Sequence, residues 1–285
     1  MIVQLLNDPS IAKIGQNLIF DIQFLYQQMG ILTRGTLYDT MIAHHIMYPD
    51  FPKGLDFLCS MHTMEPYYKD DGKLWKRPWD DLTKFWIYNA KDSATCFEIW
   101  NEIEPLLDRD GFRATYDMTV EMFPVLLYMQ TCGFKVDLEK LAEKKKQINK
   151  KLEQEYKELE EVAEYPFNPL SPKQCQEYFY VTKGIKPYTN RKTGRPTTDD
   201  KAMSRIVRRF HLKEAKLVQQ IRADEKLKGT YLDITLDKDN RIRCSYNPRG
   251  ASTGRLSSSQ TIFGTGGNLQ NLHPQFKGFL VADND

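Results

Sequence analysis

The sequence has no apolar run approaching the roughly 18 residues of a membrane-spanning helix. The longest, near Phe123 to Met129, is about seven residues long and has Pro124 inside it. A helical membrane anchor is therefore not expected. The N-terminus lacks the basic start and small-residue cleavage site of a signal peptide. The five cysteines, Cys59, Cys96, Cys132, Cys175 and Cys244, are odd in number and far apart. That pattern excludes a disulfide framework and a cysteine metal site, and predicts free thiols in a reducing cytoplasm. His44, His45, His62, His211 and His273 show no metal-ligand spacing and read as surface or helix-packing residues. A phosphate-gripping glycine loop is missing too, because Gly264, Gly266 and Gly267 are followed by no helix start. What remains is ordinary in bulk: 285 residues, 41% hydrophobic, 12% aromatic and 27% charged. At about 150 residues per domain this suggests two units with real cores.

Charge is unevenly placed. The formal net charge is +2, but Lys186 to Gln260 holds 18 Lys and Arg against 8 Asp and Glu, a local +10, which leaves −8 elsewhere. A basic block of this kind is either a solvated surface or a polyanion site.

Periodicity divides the chain. Ile11 to Ile14, Gly15 and Asn17 to Met29 read as strand, turn and helix; Thr36 to Tyr38 is a second strand, and Asp39 caps a helix through Met41, Ile42 and Ile46. A short helix follows from Gly54 to about Met61, then a polar loop from Pro66 to Pro78. The spacing predicts a long helix from Asp80 to about Leu107 and another from about Thr115 to Thr131. After a short strand, Phe134 to Val136, Asp137 caps a strongly charged helix reaching about Glu164, with lysines first and glutamates second, the order that opposes the helix dipole. That helix reads as solvated and laced by i,i+4 pairs. Helices are expected from Asp199 to Phe210 and from Leu212 to Lys228, then a hairpin pairing Tyr231–Leu236 with Arg241–Tyr246. From Asn247 the chain is rich in Gly, Ser, Thr and Asn and reads as an extended functional loop. Trp75, Trp79, Trp86 and Trp100 read as core and cap packing.

Two pairs on apolar stretches carry chemistry. Asn17 and Asp21 are four residues apart, as are Tyr88 and Asp92, so each pair shares a helical face. An unpaired carboxylate on an apolar helix is costly unless it binds a cation, so Asp21 and Asp92 are candidate ligands for Mg²⁺ or Mn²⁺. Ordinary helix-surface acids or a cap pair remain the alternative.

The segments Gly15-Gln16-Asn17-Leu18-Ile19-Phe20-Asp21 and Tyr88-Asn89-Ala90-Lys91-Asp92 resemble the second and third motifs of the 3′→5′ proofreading exonuclease of family A DNA polymerases, the bacterial DNA polymerase I type found in bacteria and phages. More specific is Ala251-Ser252-Thr253-Gly254-Arg255-Leu256-Ser257-Ser258, followed by Asn268-Leu269-Gln270-Asn271-Leu272, which resembles the entrance to that family's palm. Between them, Gly133 to Asp137, Phe167-Asn168 with Ser171 to Gln174, Gly184 to Pro187 and Lys226 to Tyr231 resemble the family's thumb in order.

The resemblance implies two-metal excision of 3′ nucleotides, with Asp92 sharing the first ion, Asp21 serving the second, Tyr88 orienting the attacking water and Asn17 in support. It also implies a DNA grip. Arg222 and Lys226, with Lys228 nearby, suit successive phosphates, and Asn168, Ser171 and Lys173 fall where the thumb tip meets the backbone. Arg255 would test base-pair geometry through minor-groove acceptors common to every pair, and Asn268, Gln270 and Asn271 would add amide contacts to template and primer.

The expected fold is helix-rich α+β: a partial ribonuclease H-like exonuclease domain over residues 1–110, a helical thumb over 111–230 and a β-hairpin beginning the palm over 231–285. The family's upstream Asp and Glu pair and its palm aspartates have no counterparts here, since residues 1–16 offer only Asp8 and the sequence stops at Asp285. An internal fragment, or one part of a split polymerase with a second polypeptide, is the expectation. The implied partners are primer-template DNA and deoxynucleotides, with no membrane. A non-catalytic DNA-binding accessory subunit and a stand-alone 3′→5′ exonuclease stay open as alternatives.

Overall fold

A computed structural model describes residues 1–74 and 82–283, so Trp75 and Trp79 lie outside the described residues. The chain divides into two compact units: the first is Met1–Gly133 with Ile242–Gln270, and the second is Phe134–Arg241 with Asn271–Asp285.

In the first unit the strand–turn–helix reading holds. After α1 (Ile2–Asn7) come β1 (Lys13–Gly15), α2 (Leu18–Met29), β2 (Leu37–Asp39), α3 (Thr40–Met47), α4 (Leu55–His62), α5 (Asp71–Leu74), α6 (Leu82–Arg109), α7 (Arg113–Glu121) and α8 (Phe123–Cys132). Strands β1 and β2 run parallel, with Lys13 opposite Leu37 and Gly15 opposite Asp39. The buried stripe of α6, Cys96, Ile99, Trp100, Ile103 and Leu107, recurs at three- and four-residue steps, so the helix presents one continuous face. That face packs with Ile19, Ile42, Ala43 and Leu58. Each such side chain contributes about 1.5–3 kcal/mol of burial. Trp100 joins this core, whereas Trp86 is 63% exposed and is not the packing residue expected.

The helix expected over Thr115 to Thr131 is two helices. Pro124 has no N–H to give and is accommodated in the first turn of α8, where no intrahelical partner is needed. Both halves send residues into the same core, Tyr116 and Val120 from α7, Phe123 and Leu126 from α8. The first compact unit therefore runs on through these helices to Gly133. Gly133 has φ 58°, and a β-carbon there would come within 2.5 Å of the Ile242 carbonyl oxygen. The returning segment is stitched to α8: Arg243 Nε donates to the Thr131 carbonyl (2.6 Å) and Tyr246 N donates to Gln130 Oε1 (2.5 Å). Its strands Ser245–Asn247 and Ser257–Ser259 pair antiparallel, Tyr246 opposite Ser258.

The second unit comprises β3 (Phe134–Val136), α9 (Leu138–Val162), α10 (Pro172–Gln176), α11 (Asp200–Phe210), α12 (Lys213–Leu227), α13 (Pro274–Lys277) and β4 (Leu280–Val281). Strands β3 and β4 pair antiparallel. Asp137 caps α9 by accepting from Lys140 N (3.0 Å). Leu141, Ile148, Leu152 and Leu159 form the buried stripe of α9, which packs on α12. The charges of α9 do not chiefly form the expected i,i+4 lacing. Lys151 Nζ reaches Asp224 of α12 (2.5 Å), Tyr156 Oη donates to Glu225 (3.1 Å) and Lys213 Nζ reaches Glu158 (2.6 Å). Part of the charge pattern is a helix–helix seam, and the rest stays exposed. The expected hairpin is absent: Lys228–Leu232 prolongs α12 as a wider π-type turn, and the Asn240 carbonyl accepts from Val136 N (3.1 Å).

Candidate active site and nucleic-acid interface

A cleft of about 680 Å³ in the first unit is lined by residues from β1, α2, α6 and the loops beside them, among them Lys13, Gln16, Leu18, Asp21, Lys69, Asn89 and Asp92. Asp21 and Asp92, distant in sequence, thus share one cavity. Asp21 sits in the first turn of α2, where the helix dipole favours a negative charge. It has no ion pair among the described residues, and burial of its carboxyl, aided by the nearby Asp39 carboxylate, pushes its pKa up. Asn17 stands one step outside the helix as its N-cap, at φ 62°, and is not among the cleft-lining residues, although Gln16 and Leu18 on either side are.

Asp39 organises this end of the unit. Fully buried at the end of β2, it accepts from the backbone N–H groups of Asn17 (3.1 Å), Leu18 (2.7 Å), Met41 (2.9 Å) and Ile42 (3.1 Å). One carboxyl group therefore ties the start of α2 to the start of α3. Its own N–H donates to the buried Tyr116 Oη (2.8 Å). Burial pushes its pKa up against the pull of those four donors.

Asp92 is held by the loop before α5. Lys69 Nζ donates to Asp92 Oδ1, and Tyr68 Oη donates to the same oxygen (2.8 Å). Lys69 Nζ also donates to Tyr88 Oη (3.2 Å) and lies 5.0 Å from the Tyr88 ring centroid and 5.2 Å from that of Tyr68. Tyr88 and Asp92 thus share a face of α6, as their spacing predicts, and a single ammonium joins them. Tyr88 reaches the cleft through Lys69 and is not itself among the lining residues. Lys69 pays desolvation that would lower its pKa, but Asp92 and Tyr88 outweigh it and hold the ammonium up.

A second cluster of candidate residues gathers around Leu256 to Ser258. Asn268 Oδ1 accepts from Ser258 Oγ (2.8 Å) and from Gln270 N (3.1 Å), and Gln270 Nε2 donates to the Leu256 carbonyl (3.1 Å). Arg255 follows a turn at Gly254, φ 73°, and projects exposed beside this cluster. Asn271 belongs to the second unit, where its carbonyl accepts from Tyr231 Oη (3.1 Å).

In the second unit Asn168 and Lys173 are exposed, Asn168 Oδ1 accepts from Leu170 N (2.8 Å), and Ser171 caps α10. Lys226 is exposed at the end of α12 and Lys228 half-buried just beyond. Arg222 is a correction. Its Nε donates to the Pro169 carbonyl (2.7 Å), Nη1 to the Thr198 carbonyl and Nη2 to Cys175 Sγ (3.2 Å). A guanidinium spent on three internal acceptors is a brace between loops and not a phosphate contact.

Sequence reasoning missed Lys69 and Tyr68 and gave Asp39 only a capping role. The first two sit in a loop without periodicity. For Asp39 the available signal was a carboxylate capping α3 right after a strand, a position from which its second oxygen can reach a neighbouring helix.

The chain matches two families: one described as 3′-5′ exonuclease, over residues 1–108, and one described as DNA polymerase family A, over residues 138–277. It is 28% identical to DNA polymerase I of Pseudomonas aeruginosa, over 94% of this chain and 30% of that protein. It is 27% identical to the DNA polymerase of Escherichia phage T5, over 98% of this chain and 36% of that protein. The fold is shared with the POL domain of Pol1 from M. smegmatis in complex with DNA primer-template and dNTP, at TM-score 0.77 and 22% identity, covering 99% of this chain and 47% of that one. The chain therefore spans about a third of the length of these two relatives. Its two matched stretches run in the order exonuclease then polymerase, which is what the chain is similar to along most of its length.

Proposed function

We propose that the chain is part of a DNA-directed DNA polymerase with an attached 3′→5′ proofreading exonuclease, acting on primer-template DNA with deoxynucleotides in the cytoplasm during replication. The observation that carries this reading is the convergence of Asp21 and Asp92 on one cleft. Residues 1–110 would supply the exonuclease, 111–230 the thumb with its connecting helices, and 231–285 the start of the palm.

The cleft's donors suit a hard divalent cation, since Mg²⁺ is commonly held by one or two carboxylates together with waters and substrate phosphates. Among the described residues no group of three or more His, Cys, Asp or Glu forms a ready-made cage. Asp21 and Asp92 would hold Mg²⁺ or Mn²⁺, and such an ion supplies positive charge at the phosphate being cleaved. The chain's own work is to shape the place. Asp39 fixes the helix end that carries Asp21, and Lys69 holds Asp92 beside Tyr88. On the polymerase side Arg255, Asn268, Gln270 and Asn271 would meet the terminal base pair, while Asn168, Ser171, Lys173, Lys226 and Lys228 would meet backbone phosphates.

In the enzyme that carries this chain, Asp92→Ala should abolish 3′ excision and leave primer extension intact, since the two chemistries use separate sites. Retained excision removes Asp92 from the site. Arg255→Ala should slow extension by about 1–3 kcal/mol, most at mismatched termini. The pairing of Asp92 with Lys69 favours a second reading, a DNA-binding segment without excision of its own, and primer-template binding with no excision by the wild type would select it.

A further inference from the structure

We infer that Lys69 is a built-in stand-in for a metal ion: its ammonium occupies Asp92 until a nucleotide phosphate draws it away, so that a divalent cation loads fully only when substrate is in the cleft. The inference rests on the exonuclease reading of this cleft and adds a residue and a control step to it. Three observations support it. Among the lining ammonium groups Lys69 is the one placed on Asp92, because the other, Lys13, is spent on the carbonyls of Asp8, Ile11 and Arg34. Lys69 and Tyr68 both donate to Asp92 Oδ1, so that oxygen is saturated and a metal ion must compete for it. The ammonium also has somewhere to go. It lies within reach of both the Tyr68 and Tyr88 rings, whose faces still attract the cation when its carboxylate is given up, and it borders a cleft that would hold a phosphate.

Electrostatics gives the sign. A fixed positive charge beside Asp92 opposes a second one there, and a phosphate that pairs with Lys69 removes the opposition, so nucleotide and metal bind with positive coupling. Coupling is reciprocal, and without Lys69 much of it disappears. Lys69 acts here as a positioning residue, since it governs the ion through Asp92. One functional result follows: an empty cleft carries less bound metal than an occupied one.

The test is Mn²⁺ binding, followed by the electron paramagnetic resonance of free Mn²⁺, with and without thymidine 5′-monophosphate. Lys69→Met should bind Mn²⁺ about fivefold more tightly than wild type, and the nucleotide should tighten binding several-fold less in the variant than in wild type. Lys69→Arg keeps the charge and should behave as wild type, and Asp92→Asn should lose the effect of Lys69→Met. Lys69→Gln serves if Lys69→Met does not fold, as judged by circular dichroism. Unchanged or weaker Mn²⁺ binding by the charge-removing variants overturns the inference, as does absence of Mn²⁺ binding in both proteins. Excision of a 3′-labelled oligonucleotide by the wild type is measured alongside. Tighter Mn²⁺ binding in Lys69→Met with no wild-type excision retains the competition and retires the exonuclease reading.

Discussion

Asp39 shows how one side chain can hold a site it never enters. Its carboxyl oxygens take four backbone N–H groups from two helix starts in a fully buried position. Asp39→Ala would leave those donors with no acceptor, and a stability loss of about 2–4 kcal/mol is expected in urea denaturation. Asp39→Asn, which keeps one carbonyl oxygen, should cost less. The histidines give a second expectation. His44 is wholly buried, with Nε2 3.1 Å from the Pro52 carbonyl and Nδ1 unpartnered among the described residues. Burial, then the neighbouring His62 ring, depresses its pKa to about 4, with Lys53 and His45 adding to the positive surroundings. The unfolded chain takes up a proton near pH 6.5 that the folded chain refuses until about pH 4, so this group's contribution is complete above pH 6.5 and is lost as pH falls through that window. The stability of wild type should therefore drop more steeply than that of His44→Phe between pH 7 and pH 5. Equal slopes would remove His44 as the cause. The sequence marks His44 and Asp39 as helix residues, but nothing local reports that their neighbours in space seal them from water.

Among the elements, α12 separates two basic residues that the sequence treats alike. Arg222 and Lys226 share a face by spacing, yet the first turns inward to join the loops at Pro169 and Thr198 while the second stays exposed. Arg222→Ala should destabilise the second unit by about 2–3 kcal/mol through loss of charged hydrogen bonds. Lys226→Ala should leave the melting temperature unchanged and lower the salt slope of DNA binding by about 1. Were Lys226→Ala the destabilising variant and Arg222→Ala neutral, the assignment of brace and contact would be reversed. Helix spacing made α2, α6 and α9 legible, and with them Asp21, Tyr88 and Asp92. It failed where period carries no information. The loop holding Lys69 has none, and the alternating stretch from Tyr231 begins in a π-type turn that buries Leu232 and continues as irregular chain. The single long helix expected after Thr115 divides because Pro124 can only start a helix there.

At the scale of the molecule the uneven charge gives the broadest expectation. With +10 concentrated between Lys186 and Gln260, primer-template affinity should fall steeply from 50 to 200 mM salt, measured by fluorescence anisotropy. An affinity indifferent to salt would mean that the basic block is only a solvated surface. The sequence conveyed the order of exonuclease-like and polymerase-like stretches through contiguous motifs such as Thr253-Gly254-Arg255. It did not convey that residues after Ile242 finish the unit begun at Met1, because pairings such as Tyr246 with Gln130 leave no short-range pattern.

That return has a consequence for how the protein is made. Gln130 and the Thr131 carbonyl must wait for Tyr246 and Arg243 to leave the ribosome, and β3 must wait for β4. Neither unit can close behind the other during synthesis, so both reach their native state late and nearly together, with many partners far apart along the chain and a longer interval in which helpers such as chaperones can act.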